Sequence, residues 1–385
     1  MPSRVRAAPP HYAESSPPGS PPVLFARGLQ ARTFTTASAA PKVYVSLSHS
    51  PYFNLSYEDW LFRNTDPTLP ILFMYRNKES VIIGRNQNPW KEINQTSLRE
   101  SGIEFVRRKS GGGTVYHDLG NTNYSVMVPR ETFTRDANAQ LVASALNSQD
   151  IGIPAYVNER HDIVVHGKKM SIICILGLML RALPERTRYV SGSAYKIINK
   201  RAYHHGTMLI NAQLDRLGNL LRNTKTSLHT KGVESVRSPV ANLASFSPII
   251  THDLFVECVT QAFREKYYPD DHWDDEVVQV DPESRSEIVD KGAEELRSWD
   301  WRFGQTPEFT HEMHKSFPWG DVNVFLTSKR GLITYCQITG LDIPDTALVG
   351  LRYGTMETAE EIFKEFYTGS PDYIQKFLTW LRHEM

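Results

Sequence analysis

The 385-residue sequence predicts an α/β (α+β) large domain followed by a smaller α/β domain. Three observations carry this. Short apolar or alternating strand runs are interleaved with helical-period segments from Lys42 onward. An acidic and aromatic stretch at residues 268–276 interrupts the pattern, and a second series of elements resumes after it. The composition, 40% hydrophobic and 22% charged, supplies a core and excludes a disordered or collagen-like chain. The 43 basic and 43 acidic residues cancel, which argues against a protein that coats nucleic acid. Cys174, Cys258 and Cys336 are too far apart for a zinc pattern or a disulfide framework, which reads as a reducing compartment. The longest apolar run, residues 172–180, has 9 residues and is too short for a membrane span.

Residues 1–41 are proline-rich, carry Arg4, Arg6, Arg27 and Arg32 against the single acid Glu14, and end in a Ser/Thr/Ala-rich stretch. This is the composition of an organelle presequence, with residues 24–34 able to form its basic amphipathic helix; a plain disordered tail is the alternative. Residues 43–47 alternate like a strand, and 54–63 read as a helix with Leu55, Trp60 and Leu61 apolar. Residues 71–75 and 81–83 are apolar runs separated by Asn77-Lys78-Glu79, a hairpin signal. Strands are expected at 103–106, 123–128, 162–165, 194–198 and 208–210, and helices at 137–146 and 252–263. The tail should give a helix, a hairpin of 322–326 and 332–338 turning at Ser328-Lys329-Arg330-Gly331, and amphipathic helices at 359–366 and 373–381.

The densest chemical signal is Arg107-Arg108-Lys109-Ser110-Gly111-Gly112-Gly113-Thr114-Val115-Tyr116-His117-Asp118-Leu119-Gly120-Asn121. Successive glycines let backbone amides approach an anion, and the adjacent cations suit phosphate. Taken alone, the triplet reads more readily as a flexible hairpin with solvated basic residues; it is neither a Walker A loop nor GxGxxG. Lys168 and Lys169 follow the apolar run ending at His166-Gly167; a lysine there can offset an anionic group, although such a pair is more often an exposed turn. Ser191-Gly192-Ser193-Ala194 offers close approach, and of His204 and His205 at most one lines a site, because neighbours in a strand face opposite ways. No metal-ligand spacing is visible.

In this order the segments match a family. The chain resembles lipoate–protein ligase A through residues 51–55, 81–92, 107–121, 191–196, 204–207, 231–243 and the accessory-domain start at 298–307. The resemblance covers essentially everything after residue 41, and it implies a mitochondrial lipoate ligase or lipoyltransferase. The implied architecture is a catalytic domain like that of class II aminoacyl-tRNA synthetases and biotin ligases over residues 42–283, then a small accessory domain over 284–385. Implied too is ATP-dependent activation of lipoate to lipoyl-AMP, then transfer to a lysine of a carrier domain. By the same match Lys169 is catalytic, and Arg108, Gly113, Thr114, Val115, Tyr116 and Lys169 contact ATP. Lys169, His117, Ser191, Gly192 and His205 contact lipoate. Residues 81–83 with Val115 and Tyr116 are expected as walls for the apolar dithiolane. Magnesium should accompany ATP, its protein ligands unassigned. The expected partners are the lipoyl domains of 2-oxoacid dehydrogenase complexes and the glycine cleavage H protein, steered by cations such as Lys109 and Lys168. The chain is expected to be a monomer in the mitochondrial matrix, independent of nucleic acid and membrane.

Two departures stand out. The family pattern Arg-Asn-Asp is Arg160-His161-Asp162 here. Residues 171–190 separate Lys169-Met170 from Ser191, where the family runs straight on, so this 20-residue segment reads as an insertion from a retained intron; a genuine surface loop is the alternative. The rival readings are a transferase without the activation step, an acyl-cysteine octanoyl transferase, and a catalytically impaired carrier-binding protein.

Overall fold

The computed structural model describes residues 42–166, 187–221, 225–236, 238–269, 277–284, 286–355 and 357–385. The presequence expected over 1–41, Lys168, Lys169 and most of the expected insertion lie outside the described residues. Four sheets form among those that are described. The largest has six strands in the order Ser193–Ile197, Arg201–Leu209, Asn121–Pro129, Ile71–Tyr75, Lys42–Ser46 and Val278–Val280. Lys42–Ser46 runs parallel to both its neighbours and the remaining pairs are antiparallel. One face packs on the helices Arg135–Leu146 and His252–Tyr267, burying Tyr124, Val126, Leu141, Val142, Phe255 and Phe263. The other face meets the helix Pro51–Asn64 through Phe53, Leu61, Phe62, Phe73 and Tyr203.

Local chemistry starts the helices at Pro51 and Arg135 earlier than the expected 54 and 137, and the one at His252 as expected. Ser50, Thr134 and Thr251 each accept a hydrogen bond from a first-turn amide, and Pro51 fills the position whose amide would go unused. The tail hairpin joins Gly320–Lys329 to Leu332–Thr339, and its turn residues Arg330 and Gly331 are both left-handed (φ 54° and 73°), as a two-residue turn between right-twisted strands requires. The strand Phe309–Phe317 completes this layer and went unread in the sequence, although Phe309, His311 and Met313 alternate inward.

The hairpin expected between residues 71–75 and 81–83 does not form. Ile71–Tyr75 belongs to the large sheet, whereas Ser80–Ile83 pairs with Glu104–Arg107 and Val115–His117 in a separate three-stranded sheet. The turn residue Asn77 is buried and bonded to Asn54 and His117, which pins the crossing between sheets.

Traffic crosses the domain boundary expected at 283. Leu228–Thr230 is an edge strand of the C-terminal sheet, and Trp90 sits in the C-terminal core against Phe303, Phe309 and Tyr353. The helix Glu287–Arg297 packs on Pro51–Asn64, where the Ser56 hydroxyl donates to the Val289 carbonyl at 2.6 Å. No helix among the described residues is long and apolar enough to cross a membrane.

Candidate functional site

Strand Glu104–Arg107 delivers two arginines in succession, and both are buried. Arg107 reaches outward to the start of the C-terminal segment. Its guanidinium donates to the carbonyls of Arg302 (2.7 and 3.0 Å), Arg85 (2.8 Å) and Gln87 (2.7 Å) and to the Thr306 hydroxyl (3.0 Å). The Trp301 indole donates back to the Arg107 carbonyl at 2.7 Å, and its ring lies 5.1 Å beneath Lys109 Nζ and Arg85. The 298–307 motif thus braces the root of the glycine loop.

Arg108 turns the other way, under the loop. It donates to the carbonyls of Ile82 (3.2 Å), Gly111 (2.6 Å) and Gly113 (2.7 Å) and to the Ser110 hydroxyl (3.0 Å). Burial lowers its pKa to about 10, so it stays cationic at neutral pH. Gly112 is left-handed at φ 85°, and a Cβ there would meet Arg108 at 2.9 Å. A Cβ on Gly84 would lie 2.0 Å from the Gly112 carbonyl, so the loop backbone comes this close only to a glycine at 84. With its carbonyls turned inward, the loop leaves the amides of Gly111, Gly112 and Gly113 with no partner among the described residues. Three consecutive amides without a partner beside a buried cation are groups that can take up an anion.

The loop's far side is pinned by the 231–243 segment. Ser235 Oγ accepts from the Thr114 amide at 2.8 Å and donates to the Glu92 carboxylate, while Gln87 bridges the Gly84 amide (2.8 Å) to Ser235 (3.0 Å). Thr114 therefore points its hydroxyl at Gln87 and Glu92.

Strand Val115–His117 separates its side chains by alternation. Tyr116 faces the small hydrophobic core with Val81, Ile83 and Phe105, and its hydroxyl donates to Glu79 at 3.1 Å. This corrects the expectation that 81–83 and Tyr116 wall a tunnel: they are packed core. Val115 lies on the opposite face, 3.7 Å from where a Gly192 Cβ would be. His117 shares that face. Its Nδ1 accepts from the Asn77 amide at 2.9 Å, and its buried Nε2 has no partner. Burial and the neighbouring Arg108 push its pKa down to about 3, so a neutral imidazole presents an N–H donor. Ser191 is buried near the Tyr124 hydroxyl (3.5 Å), and the Gly192 amide donates to Thr207 Oγ1 at 3.0 Å.

His204 and His205 face opposite ways, as expected. His205 contacts Glu58 and Ser110, whereas His204 stands edge-on to the Tyr124 ring at 6.1 Å. Lys109 is not a free steering cation: it pairs with Glu295 at 2.6 Å and Asp59 at 3.4 Å. His161 adopts φ 61°, a left-handed conformation in which Asn and His are both enriched, so the departure from Arg-Asn-Asp keeps the backbone. Cys258 and Cys336 are buried with their thiols pushed up by burial, Cys336 to about 12, which leaves neither suited to carry an acyl group. Among the described residues no group of three or more His, Cys, Asp or Glu is placed to hold a metal ion.

The last four residues of the expected insertion are described. Thr187–Tyr189 is a strand antiparallel to Ile163–His166, with Val164 opposite Tyr189 and Val165 opposite Arg188, and Val190 is fully buried. Sequence reading also missed Glu58. Its signal was an acid three residues after Leu55 and four before Phe62, on the inward stripe of the helix.

Comparison with known proteins places the chain in a family. A family model of the lipoyl protein ligase A/B catalytic domain matches residues 50–264, and one of the bacterial lipoate protein ligase C-terminus matches residues 306–343. A lipoate-protein ligase A of Psychrobacter cryohalolentis is 37% identical over 357 residues, covering 89% of this chain and 98% of the relative. The crystal structure of P. falciparum LipL1 in complex with lipoate superposes with a TM-score of 0.56 at 27% identity, covering 90% of this chain and 100% of that one. A bipartite lipoate protein ligase from Thermoplasma acidophilum, solved with its E2 lipoyl domain as an archaeal lipoylation system, shares the fold at 23% identity and TM-score 0.51, covering 68% of this chain and 96% of that one. A lipoate-protein ligase A bound with ATP does so at the same identity and TM-score, covering 68% and 98%. The chain belongs to the lipoate–protein ligase A family of enzymes, with the expected α/β architecture and C-terminal domain.

Proposed function

We propose that the chain activates lipoate with ATP and passes the lipoyl group to a carrier lysine. A carboxylate oxygen of lipoate attacks the α-phosphorus, the bridging P–O bond breaks, and pyrophosphate leaves. The carrier amine then attacks the acyl carbon of lipoyl-AMP, loses a proton and expels AMP. The observation that carries this reading is the trio of unpaired amides at Gly111–Gly113 above Arg108. Two anions must meet in a water-poor place, and fixed N–H dipoles over a buried cation favour charge developing there. An ATP-bound relative with this fold supports the assignment.

Arg108 acts in this reading from beneath: it fixes the loop carbonyls, and its field reaches the nucleotide. Gly113, Thr114 and Val115 supply backbone and edge contacts to ATP, while Tyr116 steadies the strand from the core side. His117 Nε2, a buried donor without a partner, is offered to the lipoate carboxylate, with Ser191, Gly192 and His205 around it. Lys169 lies outside the described residues. Magnesium would travel with the triphosphate; no protein ligand is assigned to it, and no step is routed through it.

Residues 171–190 bear on this reading through strand register. Without those 20 residues, Lys168, Lys169 and Met170 fall into the places held by Arg188, Tyr189 and Val190, counting back from Ser191. In the described residues those places are Arg188 opposite Val165 and Tyr189 opposite Val164. Met170 replaces the buried Val190. This fit supports the retained-intron reading. It also favours a second reading for the chain as it stands: with Tyr189 opposite Val164, it is a carrier-binding or transfer protein deficient in activation.

The acceptors in this reading are lipoyl domains of 2-oxoacid dehydrogenase complexes and the glycine cleavage H protein. A lipoylation system from Thermoplasma acidophilum pairs a similar fold with an E2 lipoyl domain. Residues 1–41 would direct a monomer to the mitochondrial matrix, which import of a reporter fused to them tests. Lipoate-dependent ATP–pyrophosphate exchange and the mass of a lipoyl-domain adduct, measured on the full chain and on one lacking 171–190, separate the readings. Exchange in neither rejects activation. Exchange only in the shorter chain assigns the 20 residues as the block.

A further inference from the structure

Beneath the glycine loop lies a buried carboxylate that the proposed chemistry does not use. Glu58, 2% exposed on the helix Pro51–Asn64, holds His205 Nδ1 with both oxygens, at 3.0 and 3.1 Å. His205 Nε2 lies 2.8 Å from Ser110 Oγ, and Arg108 Nε donates to that same oxygen at 3.0 Å. The guanidinium can only donate, so Ser110 Oγ accepts from Arg108; the hydroxyl also bonds Tyr203, and where it gives its hydrogen to His205 Nε2 the imidazole carries its own on Nδ1 and donates it to Glu58.

Arg108 stands at one end of this chain of side chains and the Glu58 carboxyl group at the other. Tyr75 and Tyr203, both buried beside Glu58, have phenols pushed well up by burial and stay neutral. His117 is neutral, and Asp59 turns instead to Lys109 and Lys196. Among the described residues no carboxylate bonds Arg108 directly, so Glu58 is its counter-charge, two side chains away.

We propose that Glu58 is a positioning residue for the anion-binding loop: acting through His205 and Ser110, it fixes the guanidinium of Arg108 and thereby the inward turn of the Gly111 and Gly113 carbonyls. A guanidinium anchored at Nε by Ser110 and at Nη1 by the Ile82 carbonyl keeps Nη2 on the Gly111 and Gly113 carbonyls; one free to swing about its last bonds would let the loop relax and pair its own amides. The role in nucleotide binding rests on the function proposed above, whereas the effect on the loop does not.

Two measurements on the full chain separate the two. Hydrogen exchange at the amides of residues 111–114, without nucleotide, reads the loop, and calorimetric titration with ATP and magnesium reads affinity. Glu58→Gln and Ser110→Ala each cut the relay at a different place. Each should change loop exchange several-fold and weaken ATP binding about tenfold. The double variant should stay near tenfold, because one relay cannot be cut twice. Losses that multiply to about a hundredfold, or parent-like exchange in both variants, would overturn the assignment. Should Glu58→Gln not fold, Glu58→Asp, which keeps the charge and draws it back from His205, takes its place beside Ser110→Ala, and parent-like exchange in it overturns the assignment. Parent protein that binds no ATP while both variants still change loop exchange rejects the nucleotide reading and upholds the positioning role.

Discussion

The three glycines of the loop differ sharply in what surrounds them, and this gives a graded test within three consecutive residues. A Cβ on Gly111 meets nothing within 4 Å. On Gly113 it would come within 3.3 Å of Ser235 Oγ, which a small shift of one side chain relieves. On Gly112 it meets Arg108 at 2.9 Å and Ala194 Cβ at 3.2 Å, in a backbone at φ 85°. The left-handed conformation costs an L-residue about 1–2 kcal/mol, and displacing the buried guanidinium adds about 1–2 kcal/mol through its lost carbonyl bonds. Gly112→Ala should therefore cost roughly 2–4 kcal/mol, and about 2 kcal/mol taken from the loop's bound geometry is about thirtyfold in ATP affinity. Gly111→Ala should stay within about twofold of the parent, apart from a small effect on the unfolded chain, and Gly113→Ala should fall between. ATP titration and thermal melts of the three single variants read this directly. Equal losses from Gly111→Ala and Gly112→Ala would mean that the loop does not bind in the shape described, and the reasoning from unpaired amides would go with it.

Three other outcomes follow from the same geometry. His117, His204 and His311 are buried and held neutral, each pushed by burial down to about 3, so they take up protons only on unfolding once the pH drops below the ordinary 6.5. Stability is thus full at neutral pH and lost as the pH falls from there toward 3, by about 2 kcal/mol per histidine between pH 7 and 5; an unchanged urea midpoint at pH 5 would refute it. Arg107→Lys removes the planar fork joining residues 84–87 to Arg302 and Thr306 and should cost about 2–4 kcal/mol in thermal or urea unfolding, against about 1 kcal/mol for Trp301→Phe. Deleting 171–190 should raise lipoate-dependent pyrophosphate exchange at least about a hundredfold, and Lys169→Ala in the shortened chain should remove about 10²–10³ of it.

Much of this was legible where local chemistry decides. The turn at Arg330-Gly331, the helix that Thr251 caps and the loop at Gly111–Gly113 follow from backbone preferences that a few adjacent residues fix; Ser50 and Thr134 carry the same kind of signal, and it went unread, so those helices were expected three and two residues late. What escaped depends on partners distant in sequence. Asn77-Lys78-Glu79 looks like a hairpin turn, but Asn77 is claimed by Asn54 and His117 and becomes a crossing between sheets. Residues 81–83 are apolar enough for a substrate wall and are packed core instead: Ile93, Leu98, Ile103 and Phe105 close over Val81 and Ile83, and Tyr52, Leu55 and Val106 close over Ile82 on the opposite face. Lys109 was read as a free cation, since nothing nearby in sequence announces Glu295. Arg108 was read as a phosphate contact. It lies one layer deeper, because Gly111 and Gly113 present their carbonyls to it.

The two buried arginines explain why this strand end can serve an anion. A guanidinium paired directly to a carboxylate is electrically cancelled at a few ångströms' distance; one whose donors end on neutral carbonyls keeps its field. Arg107 and Arg108 are both of the second kind, and successive residues point to opposite sides, so one arginine braces the outside against Arg302 and the other supports the loop from within. Full neutralisation of Arg108 would make the fold cheaper to bury and the site weaker, whereas no counter-charge at all would leave an isolated buried cation. Glu58 resolves this by standing off behind His205 and Ser110: near enough to stabilise the cation, and too far to quench it as a direct partner would. Moving that carboxylate onto Arg108 should therefore stabilise the loop and weaken its hold on any anion, so fold stability and nucleotide affinity are expected to move in opposite directions along this axis.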